Sequence, residues 1–301
     1  MDHILEKITE QLKGLPDVLV ARDEPMSRHT TFKIGGPAKL FIKPRGEAAT
    51  VHVLETLYKS GVRPLVIGNG SNLLVSDSGI DRVVVELSGG VCECSEDEIR
   101  ADAGASLATV AKCAKNNSLT GMECLYGIPG TVGGAVVMNA GAYGGEISQV
   151  LSKSTYFSPD GKVYELDAKS HELGYRESIF KKEPERIIIS STFKLVHGDR
   201  AEISKTMEEL MGRRREKQPL EYPSAGSVFK RPPGHFAGAL IENCGLKGYR
   251  IGGAEVSEKH AGFIINKGSA SCDDVLKLID HIKETVLKNT GVELECEICH
   301  I

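Results

Sequence analysis

A chain of 301 residues with 41% hydrophobic and 26% charged residues can bury a full core without disulfides or metal, which excludes disorder, collagen and coiled coil as its overall class. Length alone predicts about two domains. Acidic residues outnumber basic ones, 41 to 37, and the net charge of -4 opposes nonspecific binding to nucleic acid.

The sequence opens on an amphipathic helix, with Ile4, Leu5, Ile8 and Leu12 at helical spacing. Charges interrupt that run, unlike the apolar core of an export signal. No stretch approaches the roughly 18 apolar residues of a membrane span. An irregular stretch follows to about Lys33, then an alternating segment at 38–43. Residues 47–60 read as a helix closed by Gly61 in a left-handed cap. Residues 63–67 read as a short buried strand leading into Gly68-Asn69-Gly70-Ser71-Asn72, and 82–87 as a second strand. Residues 105–117 read as a helix with Leu107, Val110, Ala111 and Ala114 on one face. From 128 to 146 all periodicity breaks. Residues 186–196 return to strand, and Asp199 caps a helix running to about Arg215, ended by Pro219. Residues 273–289 form an amphipathic helix stopped by Gly291. The last ten residues alternate as a strand, with Val292, Leu294, Cys296 and Ile298 on one face and Glu293, Glu295 and Glu297 on the other. This mixture predicts an α+β or α/β protein with a domain boundary near 197–203.

Eight cysteines are scattered along the chain and read as reduced thiols of a cytoplasmic protein. Cys296-x-x-Cys299-His300 is half of a metal site with no second half in the sequence, so no metal is expected.

Glycine is in excess, at 33 residues, and bunched in GNGSNLL (68–74) and GIPGTVGGAVVMNAGAYGG (127–145). Such turns aim backbone N–H groups into one concavity, which suits a phosphate or diphosphate. The Rossmann fingerprint fails because Leu73 stands where Gly or Ala is required, and no Gly-Lys-Ser/Thr of a Walker A loop occurs.

TTFKIGGPA (30–38), VIGNGSNLLVSD (66–77) and GIPGTVGGAVVMNAGAYGGEI (127–147) resemble the flavin-binding segments of the UDP-N-acetylenolpyruvoylglucosamine reductase family. GYRESIFK (174–181), RRREKQPLEYPSAGSVFKRP (213–232) and LIENCGLKGYRIGGAEVSEKHAGFIIN (240–266) extend the resemblance in order over nearly the whole chain. It implies an α+β fold: an FAD-binding domain of the vanillyl-alcohol oxidase type over 1–197, in lobes of about 1–88 and 89–197. A smaller α/β substrate domain over 198–301 follows, with the strand 292–301 returning to the active site. It also implies noncovalent FAD, NADPH as hydride donor, and a UDP-sugar enolpyruvyl ether as substrate. The reaction belongs to peptidoglycan precursor synthesis, and so to cell wall biogenesis, cell shape and division, in a cytoplasmic monomer or weak oligomer.

Residue by residue, the resemblance gives Ser227 as proton donor and Arg176 as partner of the substrate carboxylate. Glu297 stabilises the enediolate and acts best in its protonated form. The same resemblance puts Gly68, Asn69, Gly70, Ser71, Asn72, Leu73, Pro129, Gly130, Thr131, Gly133, Gly134, Asn139, Gly141, Ala142 and Arg213 on the cofactor. Tyr175, Lys217 and Lys230 fall to the substrate, and His260 to structure. The family usually has Pro before the glutamate and often Arg two residues after it, where this chain has Cys296 and Cys299. The uninterrupted run 243–266 is that of the family's shorter subclass, which lacks an inserted tyrosine loop. A sugar or alcohol oxidase on the same fold is the competing enzyme, but many of those tether flavin through a His or Cys at the first glycine loop, and this loop has neither. A non-enzymatic nucleotide-binding protein would have to explain why Arg176, Ser227 and Glu297 are all intact.

Overall fold

Apolar spacing makes the opening helix α1 (Asp2–Leu12), which buries Leu5, Ile8 and Leu12 while Ile4 stays 44% exposed. The computed structural model describes residues 2–301 and falls into two compact units. The first comprises the chain up to Arg22, Leu40–Asn69 and Arg82–Gly212; the second comprises Asp23–Lys39, Gly70–Asp81 and Arg213–Ile301.

The first unit is built on two sheets. One has five antiparallel strands in the order Val163–Asp167, Leu151–Phe157, Ile187–Lys194, Glu98–Asp102, Cys92–Ser95. The other orders Val18–Pro25, Pro37–Pro44, Ile80–Glu86 and Leu65–Ile67, and its last two strands run parallel. Around them lie α2 (Gly46–Lys59), α3 (Leu107–Asn116), α4 (Val132–Val137), α5 (Ile179–Lys182) and α6 (Arg200–Lys217). Local chemistry sets their ends. Ser106 caps α3 by accepting from Thr109 N at 3.0 Å, and Asp199 Oδ1 caps α6 by accepting from Ala201 N and Glu202 N, both at 2.9 Å. One continuous core runs through Leu40, Leu54, Val85, Val110, Phe157 and Phe193.

In the second unit, α7 (Ala237–Asn243) and α8 (Cys272–Thr290) pack together, and α8 covers a meander of Arg250–Ile251, Ala254–Val256 and Ile264–Asn266. α8 has a reciprocal capping box between Ser271 and Asp274 and stops at Gly291, whose φ is +71°. Asp77 adds to that cap, accepting from Cys272 N at 2.9 Å and Asp273 N at 3.3 Å. Phe32, Ile34 and Leu74 sit in this unit's core with Val228, Ile241, Val275 and Ile282.

The compact units therefore do not part at 197–203. α6 runs unbroken past that point, and two early segments leave the N-terminal part because their apolar side chains complete the second core. The C-terminal segment also differs from expectation. Leu294 and Ile298 point inward as the alternation required, but only Cys299–His300 pairs as a strand, parallel to Leu73–Leu74. Strands also lie where none was read, among them Val18–Pro25, Cys92–Ser95, Glu98–Asp102, Leu151–Phe157, Val163–Asp167, Ala254–Val256 and Ile264–Asn266.

Candidate active site

In the first unit the glycine-rich segments meet closely. A methyl group on Gly68 would stand 2.2 Å from Thr131 Oγ1, so the loop passes there only as glycine. Asn69 donates from Nδ2 to Pro129 O at 3.1 Å. Thr131 caps α4, its Oγ1 accepting from Gly134 N at 3.4 Å, while Gly133 N donates to Ala103 O at 2.8 Å. Gly133 and Gly134 thus spend their N–H groups on protein acceptors. Among the described residues, the N–H groups of Gly68, Asn69, Gly130 and Thr131 have no protein acceptor. Gly141–Ala142 forms a short hairpin with Gly145–Glu146, and a methyl on Gly141 would meet Gly145 O at 2.6 Å.

Asn139, placed beside the cofactor by sequence, is fully buried with both ends of its amide spent inside the protein. Nδ2 donates to Gly174 O at 3.0 Å and Oδ1 accepts from Ser148 N at 2.9 Å. Gly174 opens the tight turn that carries Tyr175, 51% exposed, and Arg176. The Arg176 guanidinium lies 5.0 Å from the Tyr175 ring centroid.

In the second unit, Gly70 has φ +60°, and a methyl there would lie 2.2 Å from His29 O. Among the described residues, the N–H groups of Gly70, Ser71 and Asn72 have no protein acceptor. A run of such donors, with no acidic group among them, fits the diphosphate of a dinucleotide cofactor. The Asn72 side chain turns elsewhere and donates to Glu297 O at 3.0 Å. Leu73 pairs with Cys299.

Ser227 and Glu297 lie on neighbouring extended segments. Phe229 bridges Cys296, Glu297 N donates to Val228 O and Lys230 N to Glu295 O, both at 2.8 Å. On its other side Ser227 bridges Phe263, and Val228 N donates to Gly262 O at 2.9 Å. Gly262 passes close under the His260 ring, where a methyl would stand 3.0 Å from Cε1 and 3.1 Å from Nδ1. His260 supports this turn, its Nδ1 accepting from Gly262 N at 3.1 Å, and burial lowers its pKa. Lys230, expected on substrate, pairs its ammonium with the Glu295 carboxylate. Arg213 and Lys217 are exposed one helical turn apart at the end of α6.

Known proteins resemble this chain throughout its length. A family model described as the C-terminal domain of UDP-N-acetylenolpyruvoylglucosamine reductase matches residues 218–301, and one described as an FAD binding domain matches 38–167. Proteins called UDP-N-acetylenolpyruvoylglucosamine reductase from Agathobacter rectalis and Caldanaerobacter subterraneus subsp. tengcongensis are each 48% identical, over 98% of this chain and 96% and 97% of their own. The crystal structure of UDP-N-acetylenolpyruvylglucosamine reductase (MurB) from Thermus caldophilus is 34% identical, covers 94% of this chain and 98% of that one, and superposes with a TM-score of 0.79.

Proposed function

The chain belongs to the UDP-N-acetylenolpyruvoylglucosamine reductase family, and from that premise we propose which of its residues carry the reaction. It is an FAD-dependent oxidoreductase with the FAD-binding fold of the vanillyl-alcohol oxidase type, NADPH being the hydride donor. It reduces the enolpyruvyl ether of UDP-N-acetylglucosamine in peptidoglycan synthesis.

The backbone N–H groups of Gly70, Ser71 and Asn72 would take the diphosphate of FAD, which supplies the hydride chemistry when bound, and Gly68, Asn69, Gly130 and Thr131 are assigned to the same cofactor. Gly133, Gly134, Gly141 and Ala142 shape that site by close packing. Arg176 pairs with the substrate carboxylate, a task its planar fork suits better than an ammonium. Ser227 gives its hydroxyl proton to the α-carbon. Glu297 hydrogen-bonds the enediolate that precedes that transfer. Arg213 and Lys217 take phosphate groups of cofactor and substrate, and Tyr175 lines the substrate's path. Lys230 reaches the substrate only by exchanging its Glu295 partner.

The observation that carries the catalytic assignment is the antiparallel register at Phe229 and Cys296, which supports Ser227 and Glu297 acting on one substrate. By function the chain divides into a flavin-binding part over 1–197, in lobes of about 1–88 and 89–197, and a substrate-binding part over 198–301. The matches at 38–167 and 218–301 support this. We assign the chain to the shorter subclass, because 243–266 passes from the end of α7 straight through the meander with no inserted loop. It works in the cytoplasm, where NADPH is supplied, as a monomer or weak oligomer, and its product serves cell shape, division and the cell cycle.

The flavin's visible absorbance, followed anaerobically, tests this reading. NADPH bleaches it and the enolpyruvyl substrate restores it. Ser227→Ala keeps the bleaching and loses most of the recovery; equal loss of both steps removes Ser227 as proton donor.

A further inference from the structure

Arg176 has φ +58°, in the left-handed region that a residue with a Cβ occupies only where its surroundings hold it. It is the second central residue of a turn closed from both sides. Gly174 N donates to Glu177 O at 3.0 Å and Glu177 N to Gly174 O at 3.2 Å. Tyr175, the first central residue, keeps a negative φ, so this is the turn type whose third position ordinarily takes glycine. An arginine here is a strained choice.

Three side chains fix the turn. Asn139 Nδ2 holds Gly174 O at 3.0 Å from the fully buried side. Lys181 Nζ donates to the carbonyl of Arg176 itself at 2.8 Å and to Glu177 Oε1 at 3.1 Å. Ser178, also fully buried, donates from Oγ to Val137 O at 2.7 Å and accepts from Lys181 N at 3.2 Å. Ser178 thereby starts α5 at the point that sends Lys181 back over Arg176. Asn139 has a positive φ of its own, +39°, and Ser148 N fixes its Oδ1. Two left-handed residues are thus locked to each other through one carbonyl.

We propose that Asn139 and Lys181 are positioning residues that hold Arg176 in its left-handed conformation and so fix where its guanidinium meets the substrate carboxylate. This rests on the reading of Arg176 given above. Released from Lys181, the Arg176 carbonyl can rotate and the turn can relax toward a negative φ, carrying the guanidinium with it. A displacement of about 1 Å in such a clamp costs up to roughly 100-fold in rate. Asn139 thereby acts on the substrate step through its side-chain bond to Gly174 O.

The test uses the FAD-loaded full chain with Lys181→Met, Lys181→Arg, Asn139→Ala, Arg176→Ala and the double variant of Lys181→Met with Arg176→Ala. Flavin reduction by NADPH and FAD affinity should stay at the parent level in the Lys181 variants. Reoxidation by substrate should slow about 10- to 100-fold with a raised KM, and Lys181→Arg, which keeps a donor, should recover most of it. Amide exchange at Gly174 and Glu177 should quicken in Lys181→Met and Asn139→Ala. The double variant should be no slower than Arg176→Ala. Additive losses in the double variant, or unchanged exchange with Arg176→Ala still impaired, overturn the clamp alone. An Arg176→Ala enzyme that reoxidises normally overturns the carboxylate role of Arg176 instead. Lys181 is partly exposed, so its variants keep the question open to measurement even where Asn139→Ala does not fold.

Discussion

Asn72 holds Glu297 by its backbone. Its Nδ2 donates to Glu297 O at 3.0 Å, and its own carbonyl accepts from Cys299 N at 2.9 Å. A residue of the first glycine loop thus sets the height of the C-terminal glutamate along the chain that faces Val228. Asn72→Ala removes the donor from a half-buried carbonyl, a loss of about 1–2 kcal/mol in stability. In a stopped-flow comparison the substrate step should slow several-fold more than reduction by NADPH. Equal slowing of the two would mean that Asn72 serves the flavin alone.

Gly68→Ala tests the close approach to Thr131. The added methyl would overlap Thr131 Oγ1, and relief by rotating that hydroxyl breaks the cap on Gly134 N. Loss of a cap costs about 1 kcal/mol. FAD affinity should fall at least about tenfold, since two donor segments separate at once. Flavin fluorescence titration measures this. Gly68→Ala paired with Thr131→Ala, which removes the crowding hydroxyl and gives up the cap with it, should recover part of the lost FAD affinity.

His171 makes the first unit sensitive to acid. It is fully buried, with Nδ1 2.7 Å from Asp167 O and Nε2 2.9 Å from Ser154 Oγ, and burial lowers its pKa below the usual 6.5. A neutral ring protonated on Nδ1 satisfies both neighbours. Between the folded and unfolded values the unfolded chain binds more protons, so stability rises with pH there. The full contribution is present above the unfolded value and is lost as pH falls through the folded one. His260 adds with the same sign. Thermal unfolding should show a lower midpoint at pH 5.5 than at 7.5, and His171→Gln should shrink that difference.

Cysteine reactivity separates burial from helix-end electrostatics. Cys272 is the first residue of α8, where the helix dipole favours a thiolate. Burial, with Asp77 and Asp273 beside it, overrides that and pushes its thiol up to about 11. Burial and the neighbouring Cys113 push Cys92 to about 12. At pH 8 only about a thousandth of Cys272 is thiolate. Mass spectrometry after brief alkylation of the native protein should find Cys92 and Cys272 unmodified and the urea-unfolded protein fully labelled at both.

Legibility in the sequence followed the strength of each local signal. α8, read as 273–289, spans Cys272–Thr290 because its apolar period, capping serine and terminal glycine all agree. The strands Val18–Pro25 and Val163–Asp167 were missed because they are sheet edges with little buried surface, so no alternation marks them. The C-terminal alternation told the inner face correctly but not the pairing, whose partner is the two-residue strand Leu73–Leu74 far away in sequence. Resemblance pointed to Arg176, Ser227 and Glu297. It had no means of pairing Lys230 with Glu295 or of turning Asn139 and Asn72 onto backbone carbonyls. Those contacts join residues whose spacing along the chain carries no period.

The second unit's core joins Phe32, Ile34 and Leu74 to residues that follow Arg213. On a ribosome adding about 5–20 residues per second, those early apolar side chains emerge roughly ten to forty seconds before their partners exist. The five-stranded sheet lies wholly within Cys92–Lys194, so it can close during that interval. Synthesis therefore orders the assembly: the first unit is folded while the second still trails two uncovered segments, and chaperone demand should peak just before the last ninety or so codons are read.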